Sequence, residues 1–152
     1  MSKLTWGKPK LETTPLTDGA IPATPTWVVL PDSEKDTSQL EPKPGPEREA
    51  VNEGSETIDF AASKDGYTFT TDIFLKKGMT RPFTDNDGLI AGEHAIRLTP
   101  EDDTNEGWLI SRSVVKCETR WNSAKGTMLR YIFRALKPET GNTLQPYTKP
   151  TT

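Results

Sequence analysis

The chain has 152 residues and a formal net charge of -3, and its length suits one domain. Apolar residues make up 32 %, and adding the 11 glycines still leaves the fraction below the ~45–50 % usual for globular domains. No stretch approaches the ~18 apolar residues of a membrane span, and the start of the chain lacks the apolar segment of a signal peptide. The lone cysteine, Cys117, excludes an intrachain disulfide and a multi-cysteine zinc site. The weakly acidic charge argues against general nucleic-acid binding.

Prolines divide the chain into a centre and two flanks. Of the 13 prolines, only Pro82 and Pro100 lie between residues 55 and 137. Proline lacks a donor N–H and breaks helices and central strands. We therefore predict a β core over 55–137, an N-terminal arm with a first strand over 1–31, and a C-terminal arm over 138–152.

Between the N-terminal flank and the centre lies an acidic, proline-rich segment, residues 32–54. It carries seven acidic side chains against three basic ones, a composition typical of a solvated loop. Loops longer than ~20 residues inside a small domain are usually functional or disordered. We predict a long loop here, after a short strand at 26–30.

The centre begins with a predicted hairpin. Residues 55–62 and 67–75 flank Asp65-Gly66, and Asp-Gly is a strong hairpin-turn signal. A tight turn would place Phe60 opposite Phe69 on an apolar face, because side chains alternate between the two faces of a strand.

A second, longer hairpin is predicted from residues 113–121 and 127–136. Its alternation places Val115 opposite Phe133 and continues along the same face to Trp121. The predicted core residues of this hairpin are Val115, Cys117, Leu129, Tyr131 and Phe133.

Shorter strands are predicted at 94–99 and 107–111, and a short helix fits either 84–92 or 100–106. The fold class expected from these elements is mainly β: an antiparallel β-sandwich or half-barrel with long hairpins, one short helix at most, and extended arms at both ends.

The sequence contains no recognisable catalytic or metal-binding motif. His94 is the only histidine and suits a half-exposed strand position, while Cys117 suits a core position. Asp85-Asn86-Asp87-Gly88 fails two key positions of an EF-hand loop and is better interpreted as a polar turn. The acidic cluster at 101–106 is interpreted as a solvated connection. We predict no catalytic residue, no metal and no cofactor.

Tryptophans in the polar flanks are more informative. Trp6 and Trp27 lie in a weakly apolar, proline-rich segment, where a large aromatic side chain needs a surface to cover it. Their own core and a neighbouring subunit both satisfy this need, and Tyr147 at the other end of the chain poses the same question.

The layout of the chain is similar to a known family. A short strand at Trp27–Leu30 leads to a long acidic loop, Asp32–Gly54, and a strand-turn-strand over Ser55–Phe69. An Asp-Asn-Asp-Gly connection and a closing hairpin over Val114–Leu136 follow. This order resembles the small tail tube (major tail) proteins of tailed bacteriophages and prophages.

The resemblance implies a virion protein of the tail, made in the cytoplasm of a bacterial host. Copies would form hexameric rings that stack into a tube through which DNA passes without specific binding, in contact with other tail proteins and with no membrane. The long loop and the chain ends would reach neighbouring subunits. The resulting candidates for inter-subunit contact are Trp6, Lys8, Lys10, Trp27, Asp32, Glu34, Asp36, Glu41, Glu47, Glu49 and Tyr147.

Charge supports this assignment of the N-terminal arm. Residues 1–10 carry three lysines and no acid, whereas 32–54 has four more acidic than basic side chains. Complementary charge sets register and encounter rate across an interface. We predict that Trp6 is exposed in the free monomer and buried on assembly, the alternative being that it packs on its own sheet.

Two other functions remain open at this point. A tail terminator or head–tail connector would form a single ring, and a stand-alone β-sandwich would bind a small ligand or glycan in a loop pocket. An enzyme is disfavoured because no motif supports one.

Overall fold

The computed structural model of the protein describes residues 4–150, and 54 % of the chain is strand with no helix. Among these residues no helix exists that is long and apolar enough to cross a membrane. The strands are β1 Lys10–Pro15, β2 Val28–Val29, β3 Gln39–Lys43, β4 Glu47–Val51, β5 Thr57–Ala62, β6 Gly66–Phe74, β7 Asp85–Asn86, β8 Leu89–Thr99, β9 Gly107–Asn122, β10 Gly126–Ala135 and β11 Leu144–Tyr147.

Nine of the strands form one antiparallel sheet in the order β2-β1-β8-β9-β10-β6-β3, with β11 beside β9 and β7 beside β8. Leu11 from one end and Phe69 from the other share a single core, so the sheet must curve around it. The sheet is not a closed barrel. The chain between β2 and β3 nevertheless touches both ends: Leu30 N donates to Leu11 O at 2.8 Å, and Glu34 N donates to Asp72 O at 2.8 Å. The predicted mainly β, antiparallel fold class is confirmed.

The expected helix is wrong at both positions. Strands β7 and β8 occupy most of 84–92, and 100–106 is a turn. Asp87 and Gly88 have φ of 51° and 91°, which matches the positive φ that both central residues of a type I′ hairpin turn require. The polar turn predicted there is confirmed, and it joins β7 to β8.

The hairpin of β9 and β10 has the predicted register, with Val115 opposite Phe133 and Cys117 opposite Tyr131. All five predicted core side chains of this hairpin are buried. Trp121 does not follow them and is 71 % exposed. The reason is that the hairpin extends past its neighbours: β6 pairs with β10 only as far as Met128.

The predicted hairpin around Asp65-Gly66 is wrong. Strand β5 pairs with β4, while β6 pairs with β3 and β10. The Asp65 carboxylate instead accepts a hydrogen bond from Gly45 N at 3.1 Å, so the chain passes this point without reversing. Phe60 lies opposite Glu49 and is 54 % exposed, so the centre of the fold does not begin at residue 55.

The predicted loop and arms also contain strands. Segment 32–54 holds β3, whose Leu40 packs against the core, and β4. In the N-terminal flank, β1 lies between β2 and β8 and buries Leu11. In the C-terminal flank, β11 pairs with β9. These segments can contain proline because each proline within a strand lies either on an edge strand or at the end of its strand, where a missing N–H is tolerated.

Candidate assembly surfaces

Strands β4 and β5 form a separate two-stranded sheet, which we call the hairpin arm, residues 47–62. At its base Ser63 N donates to Pro46 O at 2.9 Å. Gly45 lies so close to the segment between β5 and β6 that a Cβ there would approach the carbonyl oxygens of Ser63 and Lys64 to 2.4 Å. Glycine is therefore required where the two segments that connect the arm to the rest of the protein pass each other.

Nothing within the described chain covers the arm, since every one of its residues is exposed. Its exposed apolar side chains include Val51, Ile58 and Phe60. Between the pairs Ala50–Asp59 and Val51–Thr57 the register shifts, which leaves Ile58 as an extra residue in β5. Such a bulge increases the local twist of a strand pair. A two-stranded hairpin is marginal in water without a further surface.

The arm is also strongly acidic. It carries five carboxylates and one arginine. Glu47 and Glu49 alternate on one face of β4, and the register places Phe60 beside Glu49 on that same face. The Glu49 carboxylate accepts a hydrogen bond from the Thr57 hydroxyl. Two predicted contact residues, Glu47 and Glu49, therefore share a face with an exposed aromatic ring.

The N-terminal segment lies against segment 32–54 of its own chain. Lys8 forms an ion pair with Asp32 at 3.1 Å, and Lys76 forms another with the same carboxylate at 3.0 Å. Hydrogen bonds from Lys76 and Lys8 hold the pKa of Asp32 below its usual value. The charge attraction expected between the two segments thus exists within one chain at Lys8–Asp32.

Trp6 is 69 % exposed, as predicted for the free monomer. It lines a cleft of about 600 Å³ together with Glu34 and Asp36. Lys8 lines the same cleft, so the structure places four of the predicted contact residues around one surface depression.

Trp27 and Tyr147 already have partners in their own chain. The Arg97 guanidinium lies 3.9 Å from the Trp27 ring centroid and 5.0 Å from that of Tyr147. Arg97 also donates to both carboxylate oxygens of the buried Glu12, at 3.1 and 3.3 Å. One arginine therefore fastens the segment before β2 and the C-terminal strand to the sheet. Sequence reasoning missed Arg97 because the contacts join residues far apart in the chain.

The remaining candidates lie apart from one another. Lys10 is exposed at the start of β1, and Glu41 is exposed on β3. Glu34 forms an ion pair with Lys125 from the β9–β10 turn. Lys10 and Glu41 are therefore accessible but lie apart from the cleft that Glu34 shares with Trp6.

Chemically reactive groups are held in apolar surroundings. Burial raises the pKa of the Cys117 thiol and lowers the pKa of His94. The His94 ring packs edge-on against Phe83, with 4.9 Å between the ring centroids. Within residues 4–150, no three His, Cys, Asp or Glu side chains are grouped so that they could hold a metal ion. What the described surface offers is an uncovered arm, exposed aromatic residues and paired charges, which are suited to contact with another macromolecule.

Comparison with known proteins adds no family to these observations. No protein-family model matches the chain. No curated protein matches it at a significant level.

Proposed function

We propose that this chain is a structural protein that self-assembles into stacked rings, the tail tube of a tailed bacteriophage or prophage through which DNA passes. The proposal combines the parts of the family resemblance that the structure keeps, which are the short first strand, the Asp85–Gly88 turn and the closing hairpin, with one structural observation. That observation is the hairpin arm, which has apolar side chains on a two-stranded sheet that none of residues 4–150 covers.

The physical argument is a deficit of burial. Only 32 % of the residues are apolar, and some of the large ones lie exposed on the arm. Binding to a second copy would bury these side chains and would stabilise the ordered arm by mass action. Assembly would also cover the free edges of β4 and β5, which otherwise present unpaired backbone groups.

The charge of the chain supports passage of DNA in preference to DNA binding. A protein that neutralises many phosphates holds DNA tightly at low salt. A formal net charge of -3 gives no general attraction of this kind, as a channel that releases DNA requires.

Removing the arm tests the proposal. Because Ser63 N already donates to Pro46 O at 2.9 Å, replacing 47–62 with Asn-Gly recreates a two-residue hairpin turn. We expect this variant to remain a folded monomer, with a far-UV circular dichroism spectrum of β structure, and to form no tubes. The matched control is a variant with Asn-Gly inserted after Gly54, at the tip of the intact arm.

Negative-stain electron microscopy of the purified full chain separates the outcomes. Stacked tubes from the full chain and from the control, and none from the armless variant, are expected. Single rings would instead indicate a terminator or connector protein. A full chain that stays monomeric at high concentration would contradict the proposal, and so would tubes formed by the armless variant.

A further inference from the structure

The outer face of the curved sheet carries an apolar stripe that the core does not use. Cα register aligns Leu89, Lys116 and Ile132 across β8, β9 and β10, and it aligns Val114 with Arg134 in the next row. Their neighbours Val115 and Phe133 point into the core, so these five side chains point outward. We call Leu89, Val114, Lys116, Ile132 and Arg134 the outer patch.

The two cations of the outer patch have no acidic partner. Neither Lys116 nor Arg134 forms an ion pair with any residue that the structure describes. The nearby Glu93 and Glu118 are engaged by Arg112 and Arg120 at 2.8 and 2.9 Å. The patch therefore presents the exposed Leu89 and Val114 and the half-buried Ile132 beside two positive charges that have no ion-pair partner among the described residues.

The hairpin arm has the opposite pattern at a matching spacing. Glu47 and Glu49 are two residues apart on one strand, or about 7 Å. Lys116 and Arg134 are diagonal neighbours across β9 and β10, or about 7–8 Å. Phe60 lies beside Glu49 on the arm, as Val114 and Ile132 lie beside the two cations on the patch. Both the charges and the apolar groups can therefore meet when the two faces are laid together.

We propose that the hairpin arm of one copy docks on the outer patch of a second copy, with Glu47 and Glu49 against Lys116 and Arg134 and Phe60 against the apolar stripe. This inference rests on the proposed self-assembly and adds to it the surface that receives the arm. In most interfaces a buried aromatic side chain contributes much of the binding energy, while the charges around it contribute less. Opposed charges disfavour docking in any other register.

Charge reversal in two variants tests the contact. One variant carries Glu47→Lys and Glu49→Lys on the arm, and the other carries Lys116→Glu and Arg134→Glu on the patch. Each alone sets like charges against each other, so we expect the concentration needed for assembly to rise at least 10-fold. In an equimolar mixture every contact between the two variants brings an arm to a patch of opposite charge, so alternating copies should assemble at a concentration nearer that of the wild type.

Matched controls separate this contact from general charge effects. Glu53→Lys with Glu56→Lys changes the arm by the same charge at its tip, and Lys64→Glu with Lys77→Glu changes the body away from the patch. Both controls should assemble within about 3-fold of wild type, because charges exposed to solvent and farther apart than a Debye length of ~8 Å are largely screened.

Sedimentation velocity across a concentration series measures the concentration at which each variant assembles, and electron microscopy of the same samples shows what is formed. Loss in each variant and recovery in the mixture support the docking. Wild-type assembly by the patch variant, or loss that the mixture does not restore, overturns the docking and leaves the proposed function intact. A wild-type chain that never assembles overturns both.

Discussion

The β9–β10 hairpin is expected to support the core with one face only, and Phe133→Ala is the sharpest test of this. The Phe133 side chain is fully buried and its ring lies 6.0 Å from both Phe69 and Phe83. Losing the buried ring removes about 1.5–3 kcal/mol of transfer free energy. The cavity left between the two remaining rings raises the total to about 3–5 kcal/mol.

The adjacent residue provides the control. Arg134 is exposed and points to the opposite face, so Arg134→Ala should change the free energy of unfolding of the monomer by less than about 0.5 kcal/mol. Both variants are compared with wild type by urea unfolding, followed by far-UV circular dichroism below the assembly concentration. A loss for Arg134→Ala as large as that for Phe133→Ala would refute the assigned register, since a slip of one residue exchanges the two faces.

Four further predictions concern single side chains. Cys117 should react with a disulfide reagent only as fast as the protein unfolds, because its side chain is 3 % exposed and burial also raises the pKa of the thiol; rapid reaction of the native protein would contradict its placement. Arg97→Ala should lower the free energy of unfolding by about 3 kcal/mol, because it leaves the buried Glu12 carboxylate unpaired; a change below about 0.5 kcal/mol in urea unfolding would show that the ion pair is not a significant source of stability. The lysines depress the folded-state pKa of Asp32, so the contribution of this carboxylate to folding stability is present above its unfolded pKa of 3.8 and is lost as the pH falls through the folded-state pKa. Asp32→Asn should therefore weaken the pH dependence of stability in this acid range. An unchanged acid-unfolding profile would argue against the ion pairs with Lys8 and Lys76. With the other three tryptophans replaced by phenylalanine, Trp6 fluorescence should shift to the blue on polymerisation and salt should slow the process, whereas an emission maximum already blue in the monomer would remove Trp6 from the interface.

Local sequence signals predicted what local geometry determines. The register of β9 and β10 followed from two alternating segments joined by a short polar turn, and the structure has that register. At the same turn, Asn122 Oδ1 accepts hydrogen bonds from Ala124 N and Lys125 N, and Gly126 has a φ of 76°. Each of these features depends on residues close together in sequence, so the pattern contained the answer.

The Asp-Gly signal shows where local reasoning ends. The sequence holds two such dipeptides after residue 60, and only Asp87-Gly88 forms a two-residue hairpin turn. Asp65 differs because its carboxylate meets Gly45 N, 20 residues earlier in the chain. Which Asp-Gly forms a turn is therefore decided by a partner that no window of neighbouring residues contains. The Arg97 contacts with Trp27 and Tyr147 were missed for the same reason.

The same limit explains why the composition of segment 32–54 predicts a loop where the structure has strands. Proline and acidic residues argue against a central strand, yet β3 and β4 both form there. Strand β3 lies at the edge of the sheet and pairs on one side only, with β6, so Pro42 needs no partner on the other side. Strand β4 lies outside the body and pairs only with β5. Composition indicated correctly that most of this segment is exposed and wrongly that it lacks strands.

The alternating pattern of β5 predicts a half-buried strand, but the structure leaves its apolar side chains exposed. Thr57, Ile58, Asp59 and Phe60 alternate polar and apolar side chains as a half-buried strand does, and sequence reasoning therefore assigned them to the core. In the structure Ile58 is 68 % exposed and Phe60 is 54 % exposed, so these apolar side chains do not contribute to the core of the described residues. Exposure of large apolar groups on a marginal two-stranded hairpin is unfavourable for a chain that works alone. Alternation that its own fold leaves uncovered is the pattern expected of a strand whose apolar side is completed by another molecule, and the opposite charges of the hairpin arm and the outer patch make a second copy the most economical candidate.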